Sequence, residues 1–398
     1  MNVLVSAGEV SGDIIGALIA EELLRRDPSV HVWGLGGSRM SAAGVTVAAR
    51  TNHLGRVGVS ESFSAILPLV RAFAAVRREI RRARPDVAIL VANDLFNVVL
   101  GRWLRARGIP TLAVFPPQVW IWKAAARVFS GSWDVVAASF PDEQRVYSRH
   151  VRTVFIGHYL ADRLGRATPA ERDAARASLG AGGAVVGLFP GSRVHELEIL
   201  TPLLLDAAAL LLKSDPSMRF VMAIAERADE PRIAAEIARR GLTANIALVH
   251  DSHAAIRASD LLLMASGTAT LEASIIGTPM IVLYRVQRIT MSIVRLAIRL
   301  GLMDSETISL PNLILEGPVV PEVSQERLSA DRVVEEAKQL LADRERLAAM
   351  SERLSRVSAA VDGHGSVQRI ADLVEELGLR RAPLCQDLPA VALEGGSA

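Results

Sequence analysis

Short apolar runs alternate with longer amphipathic stretches through the first 165 residues, and this alternation constrains the fold more than any other feature. Each run is four or five residues long and rich in valine, isoleucine and leucine, as buried parallel strands are. The stretches between them, such as 14–25 and 65–84, have the apolar spacing of helices. The pattern predicts a parallel sheet covered by helices. The predicted strands are residues 3–6, 30–33, 87–91, 111–115, 134–137 and 153–156.

The same alternation starts again after a polar, glycine-bearing stretch at residues 165–183. Two successive α/β halves of similar size predict two Rossmann-like domains that face a cleft. We place an N-terminal domain at residues 1–165, a C-terminal domain at 166–365, and a C-terminal helix and tail at 366–398. The predicted strands of the second half are residues 185–189, 219–223, 247–249, 261–264 and 280–283.

The composition is that of a folded globular protein, with 50% hydrophobic and 22% charged residues. The net charge is only +2, so any preference for anionic partners must come from local patches. The single cysteine, Cys385, cannot form an internal disulfide or a cysteine metal site, which favours a reducing compartment. The first residues do not resemble a signal peptide, and no stretch reaches the ~18 to 20 uncharged apolar residues of a membrane-spanning helix. We therefore expect a cytoplasmic protein, for which contact with a membrane surface remains open.

Residues 266–272 have the sequence SGTATLE and connect a predicted strand to a predicted helix. Unpaired backbone N–H groups and the positive end of the helix dipole would face a ligand here, which predicts an anion site. Glu272 lies about one helical turn inside the helix and could reach a sugar hydroxyl of the same ligand, so the pattern indicates a nucleotide. The alternative is that these small residues only cap the helix. The predicted binding residues of this turn are Ser266, Gly267, Thr268, Ala269 and Glu272.

A second turn of this kind, LFPGSR, ends the first strand of the C-terminal half at residues 188–193. Gly191 and Ser192 offer backbone donors, and Arg193 offers a planar guanidinium suited to phosphate oxygens. The two turns together predict a two-sided clamp for a diphosphate. His195 lies close by and receives no role. The chain has no Asp-x-Asp pair and no His, Asp and Glu cluster with ligand spacing, so we expect no metal.

The first turn of the chain has the sequence AGEVSGD and also lies between a strand and a helix. Its glycines allow close approach to a ligand, and its two carboxylates stand at the carboxyl end of a parallel sheet. The glycine spacing is not the dinucleotide fingerprint, and carboxylates would repel a pyrophosphate, so a hydroxylated acceptor suits this turn better. The alternative is that Ser11 and Asp13 cap the helix. The predicted acceptor-binding residues are Gly8, Glu9, Ser11 and Asp13.

Two further segments have the composition of basic amphipathic helices, at residues 64–84 and 289–303. Such helices favour anionic lipid surfaces, where each cation contributes about 1 kcal/mol. The alternative for either segment is a helix that packs on the core and exposes its arginines to water.

Six motifs in this order resemble the lipid-A-disaccharide synthase family, whose members are inverting glycosyltransferases of the two-Rossmann (GT-B) architecture. Each motif alone is weak, whereas the ordered set is specific and spans the chain to about residue 325. The motifs are AGExSGD at 7–13, VWxW at 119–122, FIGH at 155–158 with Ala161 and Asp162, PGSR at 190–193, SGTAxLE at 266–272 and SLPNL at 309–313.

The resemblance implies that UDP-2,3-diacylglucosamine donates its sugar to the 6-hydroxyl of 2,3-diacylglucosamine 1-phosphate (lipid X), giving the β-1′,6-linked disaccharide and UDP. UDP-sugar would be a substrate, with no cofactor and no nucleic acid involved. Such enzymes work at the cytoplasmic face of the inner membrane without a metal, and the oligomeric state, including a homodimer, stays open. The resemblance places UDP at residues 266–272 with Glu272 on the ribose, Arg193 at the leaving diphosphate, Asn312 at the donor, and Glu9 with Asp13 on the acceptor side.

The chain departs from the family at a Pro-Asp-Phe-Asn run whose aspartate is the proposed catalytic residue. The matching segment is ANDLFN at residues 92–97, in which Leu95 takes the aspartate position and Asp94 precedes it. The base is therefore Asp94 or Glu9, and Asp86 is another matched carboxylate. Two alternatives remain: another GT-B enzyme, such as a UDP-N-acetylglucosamine 2-epimerase or a different glycosyltransferase, and a homologue impaired in catalysis that only binds UDP-sugar or lipid.

Overall fold

The structure is a computed structural model that describes residues 1–8, 10–50, 62–92, 94–119, 123–178, 183–285, 307 and 309–379. Contacts divide the chain into two compact units. The first unit contains Met1–Pro116, Arg127–Val136 and the described part of Ile370–Ala398, and the second contains Pro117–Ala126 and Ala137–Arg369. Domain boundaries at residues 165 and 365 stay a prediction from the alternation along the sequence, whereas these units follow contact density.

The first sheet has seven strands in the order β3-β2-β1-β4-β5-β6-β7. Neighbouring strands from β3 to β5 pair in parallel, and Ala7 of β1 lies beside Val91 of β4. The chain winds in opposite directions on the two sides of this β1–β4 pair, so a crevice opens at its carboxyl ends. The strands are β1 (Asn2–Ala7), β2 (His31–Gly36), β3 (Thr46–Arg50), β4 (Val87–Val91), β5 (Thr111–Val114), β6 (Val135–Ala138) and β7 (Arg152–Phe155).

The second sheet repeats this topology with six parallel strands in the order β10-β9-β8-β11-β12-β13. The winding reverses between β8 and β11, where Phe189 lies beside Met264. The central strands of this sheet carry buried apolar residues, as expected for strands that helices cover on both faces. The strands are β8 (Val185–Phe189), β9 (Arg219–Ala223), β10 (Ile246–Val249), β11 (Leu261–Ala265), β12 (Met280–Tyr284) and β13 (Glu322–Ser324).

Helices connect the strands in both halves and bury their apolar stripes on the sheets. In the first half they are α1 (Val10–Arg26), α2 (Ser38–Ala42), α3 (Ser62–Arg82), α4 (Asp94–Arg105), α5 (Ala126–Ser130), α6 (Pro141–Tyr147) and α7 (Tyr159–Arg163). Then follow α8 (Pro169–Ser178), α9 (Val194–Ser214), α10 (Glu230–Arg239), α11 (Ser252–Ala258), α12 (Thr268–Ile276), α13 (Leu310–Ile314), α14 (Ala330–Ala342), α15 (Arg344–Ala360) and α16 (Ser366–Leu379). The predicted α/β class with two parallel sheets is confirmed.

The basic segment at residues 64–84 is a helix, α3, with a buried and an exposed side. Ala72 and Val76 are buried, and Phe73 packs edge-on against Trp103 with ring centroids 5.2 Å apart. Val70 is 57% exposed and arginines follow it toward the end of the helix. The helix therefore packs on its own unit and presents a cationic side, while its contact with lipid stays a prediction. The second basic segment, residues 289–303, lies outside the described residues.

Within the described ranges, no helix is both long enough and apolar enough to cross a membrane.

Candidate functional site

The loop after β8 turns sharply into α9 through a glycine. Gly191 has φ 94°, in the left-handed region that side chains disfavour. A Cβ at this position would also collide with the carboxylate of Glu196. The positive φ favours glycine, and the turn brings the backbone of Ser192 and the side chain of Arg193 to the start of α9.

The hydrogen-bond donors of this loop converge on one carboxylate. Oε2 of Glu196 accepts from the backbone N–H of Ser192 and of Arg193, each at 3.2 Å. Oε1 of Glu196 accepts from Nη1 of Arg193 at 3.1 Å. The guanidinium is still 59% exposed, so it can also reach a ligand. The loop is thus built to surround an anionic oxygen, and a side chain of the same helix fills that position.

The turn after β11 has the geometry of a helix start that points at the sheet edge. Gly267 has φ 157° and ψ −166°, and α12 begins at the next residue. Oγ1 of Thr270 donates to the carbonyl oxygen of Gly267 at 2.7 Å, which fixes the first turn of the helix. Gly267 and Thr268 are exposed. The N–H of Thr270 donates to the carbonyl oxygen of Gly267 at 3.0 Å, and α12 starts at the edge of the sheet after β11, where the N-terminus of a helix favours an anion.

One pocket joins the two turns. Because β8 and β11 are neighbouring parallel strands, their loops meet at the same edge of the sheet. Tyr284, at the end of β12, also borders the pocket, and burial raises the pKa of its hydroxyl above the usual value of 10.0. The pocket is lined by Arg193, His195, Glu196, Ile199, Leu200, Ala265, Ser266, Leu283, Tyr284 and Arg285.

Glu272 lies one turn inside α12 and pairs with a histidine of another helix. Its Oε2 is 3.4 Å from Nε2 of His253, in the first turn of α11. The contact with Glu272 raises the pKa of His253 above its usual value of 6.5. His253 was not predicted from the sequence, because nothing in its local pattern distinguishes it from a surface histidine. The packing of α11 beside α12 brings the two side chains together.

Some of the predicted acceptor-binding residues lie at the carboxyl edge of the first sheet. Gly8 is buried at the end of β1, and Ser11 is exposed in the first turn of α1. Asp94 begins α4 directly after β4, so its backbone stands at the same sheet edge as Gly8. Glu9 and the side chain of Asp94 lie outside the described part of the chain.

Comparisons with known proteins agree with the resemblance. A sequence model described as lipid-A-disaccharide synthetase matches residues 3–372. The lipid-A-disaccharide synthase of Geobacter sulfurreducens is 34% identical over 94% of this chain and 97% of its own length. That of Xanthomonas campestris pv. campestris is 33% identical over 94% of this chain and 86% of its own. The chain belongs to the lipid-A-disaccharide synthase family. It is therefore a glycosyltransferase that acts in lipid A biosynthesis.

Solved structures show the same fold at low sequence identity. A UDP-GlcNAc 2-epimerase from Neisseria meningitidis, bound to UDP-GlcNAc, has a TM-score of 0.63 at 13% identity and covers 94% of this chain and 100% of its own. The kitacinnamycin glycotransferase has a TM-score of 0.60 at 16% identity and covers 94% of this chain and 98% of its own. The two-Rossmann (GT-B) class is confirmed.

The side chain of Asn312, a residue of the synthase-family motif, makes hydrogen bonds with other groups of the protein. Its Oδ1 accepts from the N–H of Val319 and Val320 at 2.7 and 2.9 Å. Its Nδ2 donates to the carbonyl oxygen of Val320 at 2.9 Å and to Oε1 of Glu322 at 2.8 Å. The residue is 7% exposed. This differs from the predicted contact with the donor, because four hydrogen bonds use the capacity of the amide to hold the segment before β13.

Asp13 of the family motif also has a structural position. It is 2% exposed, and its Oδ1 accepts from the N–H of Gly37 at 2.6 Å and of Met40 at 3.1 Å. Its Oδ2 accepts from the N–H of Arg39 at 3.1 Å. The carboxylate thus caps α2, a neighbouring helix, in place of the predicted contact with an acceptor. Capping was the alternative prediction for Asp13, although the helix expected there was its own.

Asn97, the last residue of the divergent 92–97 segment, joins the two strands of the first crevice. Its Oδ1 accepts from Oγ of Ser6 at 2.7 Å, and its Nδ2 donates to the carbonyl oxygen of Val91 at 3.1 Å. Ala92 has φ 48°, which is unfavourable for a residue with a Cβ. The hydrogen bonds of Asn97 support this strained turn, and Asp94 begins α4 directly after it.

The synthase-family motif at residues 155–162 anchors a later segment instead of lining the pocket. The N–H of His158 donates to the carbonyl oxygen of Val361 at 2.8 Å, and Asp162 accepts from the N–H of Gly365 and Ser366 at 2.8 and 2.7 Å. Burial lowers the pKa of His158 to about 3, so the ring is neutral, and its Nδ1 accepts from the N–H of Leu160.

Among the residues that the structure describes, no group of three His, Cys, Asp or Glu side chains could hold a metal ion.

Proposed function

We propose that this chain transfers 2,3-diacylglucosamine from UDP-2,3-diacylglucosamine to the 6-hydroxyl of 2,3-diacylglucosamine 1-phosphate. Membership of the synthase family supports the reaction. The observation that carries the assignment of the site is that the turns after β8 and β11 line one pocket at the β8–β11 switch point. Ligands bind at such switch points in open α/β sheets.

The donor diphosphate lies between these turns in our proposal. The N–H groups of Gly191 and Ser192 and the guanidinium of Arg193 contact it from one side. Ser266, Gly267, Thr268 and Ala269 contact it from the other side, with the dipole of α12 aligned toward it. Glu272 accepts hydrogen bonds from the ribose hydroxyls.

The reaction forms a bond between O6 of the acceptor and the anomeric carbon, and breaks the bond from that carbon to the β-phosphate oxygen. The bonding electrons leave with UDP, whose negative charge Arg193 and the start of α12 stabilise without a metal. The proton of the 6-hydroxyl goes to a carboxylate, either Asp94 or Glu9. Attack opposite to UDP inverts the anomeric configuration through an oxocarbenium-like state.

Asn312 and Asp13 act indirectly in this scheme. Asn312 holds the segment that leads into β13, and Asp13 fixes α2 against α1, so both support the loops around the substrates. Gly8 and Ser11 stay candidates for contacts with the acceptor at the first sheet edge.

The protein works at the cytoplasmic face of the inner membrane in this proposal, because both substrates carry acyl chains. The cationic side of α3 supports peripheral binding to an anionic surface.

The decisive experiment supplies the purified protein with both lipid substrates and measures free UDP and the disaccharide by mass spectrometry. We expect the two products in equal amounts. An acceptor with a methylated 6-hydroxyl should give neither product, because the nucleophile is blocked. UDP without disaccharide, or a 2-epimer of the donor sugar, would contradict the proposal.

A pair of variants then locates the base. Asp94→Asn should abolish turnover while UDP still binds if Asp94 accepts the proton, whereas Glu9→Gln should do so if Glu9 is the base. Unchanged turnover in both variants would remove both carboxylates from the scheme.

A further inference from the structure

Two histidines lie three residues apart at the start of α11, and each faces a glutamate. Nε2 of His250 is 2.9 Å from Oε2 of Glu230, and Nε2 of His253 is 3.4 Å from Oε2 of Glu272. The two histidines are similarly exposed, at 33% and 35%. They differ in what the glutamate belongs to, because Glu230 begins α10, whereas Glu272 belongs to the turn assigned to the nucleotide.

The backbone around His253 is held firmly. Oδ1 of Asp251 caps α11 by accepting from the N–H of Ala254 at 3.0 Å. Oγ1 of Thr278, just after α12, donates to the carbonyl oxygen of Ile256 in α11 at 3.0 Å. These bonds tie α11 to the end of α12, so the distance between His253 and Glu272 is a property of the fold and not of one mobile loop.

We propose that His253 is a positioning residue for the ribose of the bound nucleotide. It holds Oε2 of Glu272, and Oε1 of the same carboxylate is thereby directed at the ribose hydroxyls. The inference rests on the proposed function, in which Glu272 binds the ribose. His253 itself does not contact the nucleotide.

The physical basis is preorganisation of a long, flexible side chain. A free glutamate samples several rotamers, and a ligand must restrict them when it binds. A histidine on a rigid helix start restricts them beforehand. The bond is charge-assisted when the imidazole is protonated, which makes it shorter and stronger than a bond between neutral groups.

The nearby charges make this support depend on pH. Glu272 and Asp251 raise the pKa of His253, and Arg257 on the same helix lowers it. Because the net shift is upward from 6.5, the ion pair is complete at pH values below 6.5 and is lost as the pH rises through the raised pKa. Affinity for the ribose should therefore decrease with rising pH.

The test uses calorimetric titration with UDP and with 2′-deoxy-UDP at pH 6.5 and pH 8.5. We expect His253→Ala to weaken UDP binding about 3- to 10-fold at pH 6.5, the effect of one lost hydrogen bond. It should also reduce the preference for UDP over 2′-deoxy-UDP and flatten the pH dependence. In turnover assays KM for the donor should rise while kcat is kept. His253→Gln, which retains a donor, should restore part of the affinity.

His250→Ala is the matched control, because it removes a similar histidine–glutamate pair next to the site. It should bind both nucleotides as the wild type does at both pH values. The pH-dependent ionisation of UDP is common to all variants, so it cancels when they are compared. Thermal unfolding of each variant shows whether the fold is kept.

The double variant His253→Ala/Glu272→Gln separates the two levels of the inference. If His253 acts through Glu272, adding His253→Ala to Glu272→Gln should change UDP affinity little further. If His253→Ala lowers UDP affinity in the Glu272→Gln background as much as it does in the wild type, the role of His253 is overturned. It is also overturned if His253→Ala binds UDP as the wild type does while Glu272→Gln binds it more weakly. In both cases the role of Glu272 is kept. Wild-type affinity and ribose preference in Glu272→Gln would overturn the proposed role of Glu272 first.

Discussion

The crevice between β1 and β4 and the crevice between β8 and β11 have the same strand order but opposite chemistry. In the first, Gly12 packs against β1, where a Cβ would lie 3.3 Å from Cβ of Ala7, and Asp13 is buried on the backbone of α2. In the second, Gly191 and the donors beside it surround an anionic oxygen at the surface. Topology thus fixes where a ligand can bind, and the residues of the turns decide which ligand.

In both crevices a carboxylate accepts hydrogen bonds from backbone N–H groups, with different consequences. Asp13 is enclosed, so its bonds stabilise the fold. Glu196 has 14% of its side chain exposed and pairs with an arginine that is largely in water. The contacts of Glu196 are therefore open to exchange with a ligand, as our proposal for the diphosphate requires, whereas those of Asp13 are closed off from water.

Arg193→Ala should lower kcat about 100- to 1,000-fold, as the loss of one group that stabilises charge in the transition state does, or about 3–4 kcal/mol in the barrier. Release of UDP in the presence of both lipids is the measurement. Arg332→Ala is the matched control, because Arg332 also pairs with a glutamate three residues later and is 47% exposed. Equal losses in the two variants would mean that Arg193 has no special place in the second crevice.

Asp13→Ala should lower the free energy of unfolding by about 3 kcal/mol, because three backbone N–H groups lose a charged acceptor inside the protein. UDP affinity should not change, since the turns proposed to bind the nucleotide belong to the other crevice. Asp27→Ala removes an exposed carboxylate of the same unit and should cost less. Intact stability with a selective rise in KM for the acceptor would return Asp13 to the acceptor site.

The sequence was sufficient to predict most of the strands and the two turns that border one pocket, whereas the binding of a nucleotide there stays a prediction. The predicted strands at 87–91, 185–189 and 219–223 match β4, β8 and β9 residue for residue, since buried parallel strands are uniformly apolar. β3 and β13 were not predicted. Both lie at sheet edges, where partly exposed residues such as Arg50 and Glu322 weaken the apolar signal.

The sequence did not predict which groups the individual side chains contact. Asp13 and Asn312 are polar residues in turn-like motifs, which is the pattern of a ligand contact and of a buried anchor alike. The anchors are separated from their partners by 24 residues for Asp13 with Gly37 and by 10 for Asn312 with Glu322. His253 and Glu272 likewise meet because α11 packs beside α12. Local patterns do not encode such tertiary contacts.

His158, like Asp13, is a buried polar residue that accepts a hydrogen bond from the backbone. It differs from Asp13 in being neutral and in lying outside both crevices. Because its pKa is lowered to about 3, the unfolded chain binds a proton near pH 6.5 that the folded protein does not. Stability should therefore fall by about 2 kcal/mol between pH 7 and pH 5 from this residue alone. His158→Asn keeps an acceptor for the N–H of Leu160 and should remove that part of the slope in urea unfolding. An identical slope in His158→Asn and in the wild type would contradict the assignment.

The smallest expected effect concerns lipid, and it asks whether membrane contact belongs to the first unit alone. Val70, Arg77 and Arg81 follow a spacing of seven and four residues, so they lie on one exposed face of α3. Arg81→Gln should weaken binding to phosphatidylglycerol vesicles about fivefold, or about 1 kcal/mol for one cation, and less at high salt. Arg239→Gln on α10 removes another exposed cation, 69% in water, from the second unit. If both variants lose the same affinity, the vesicles respond to net charge and not to α3. A loss confined to Arg81→Gln would assign the lipid surface to the first unit, at the end of α3.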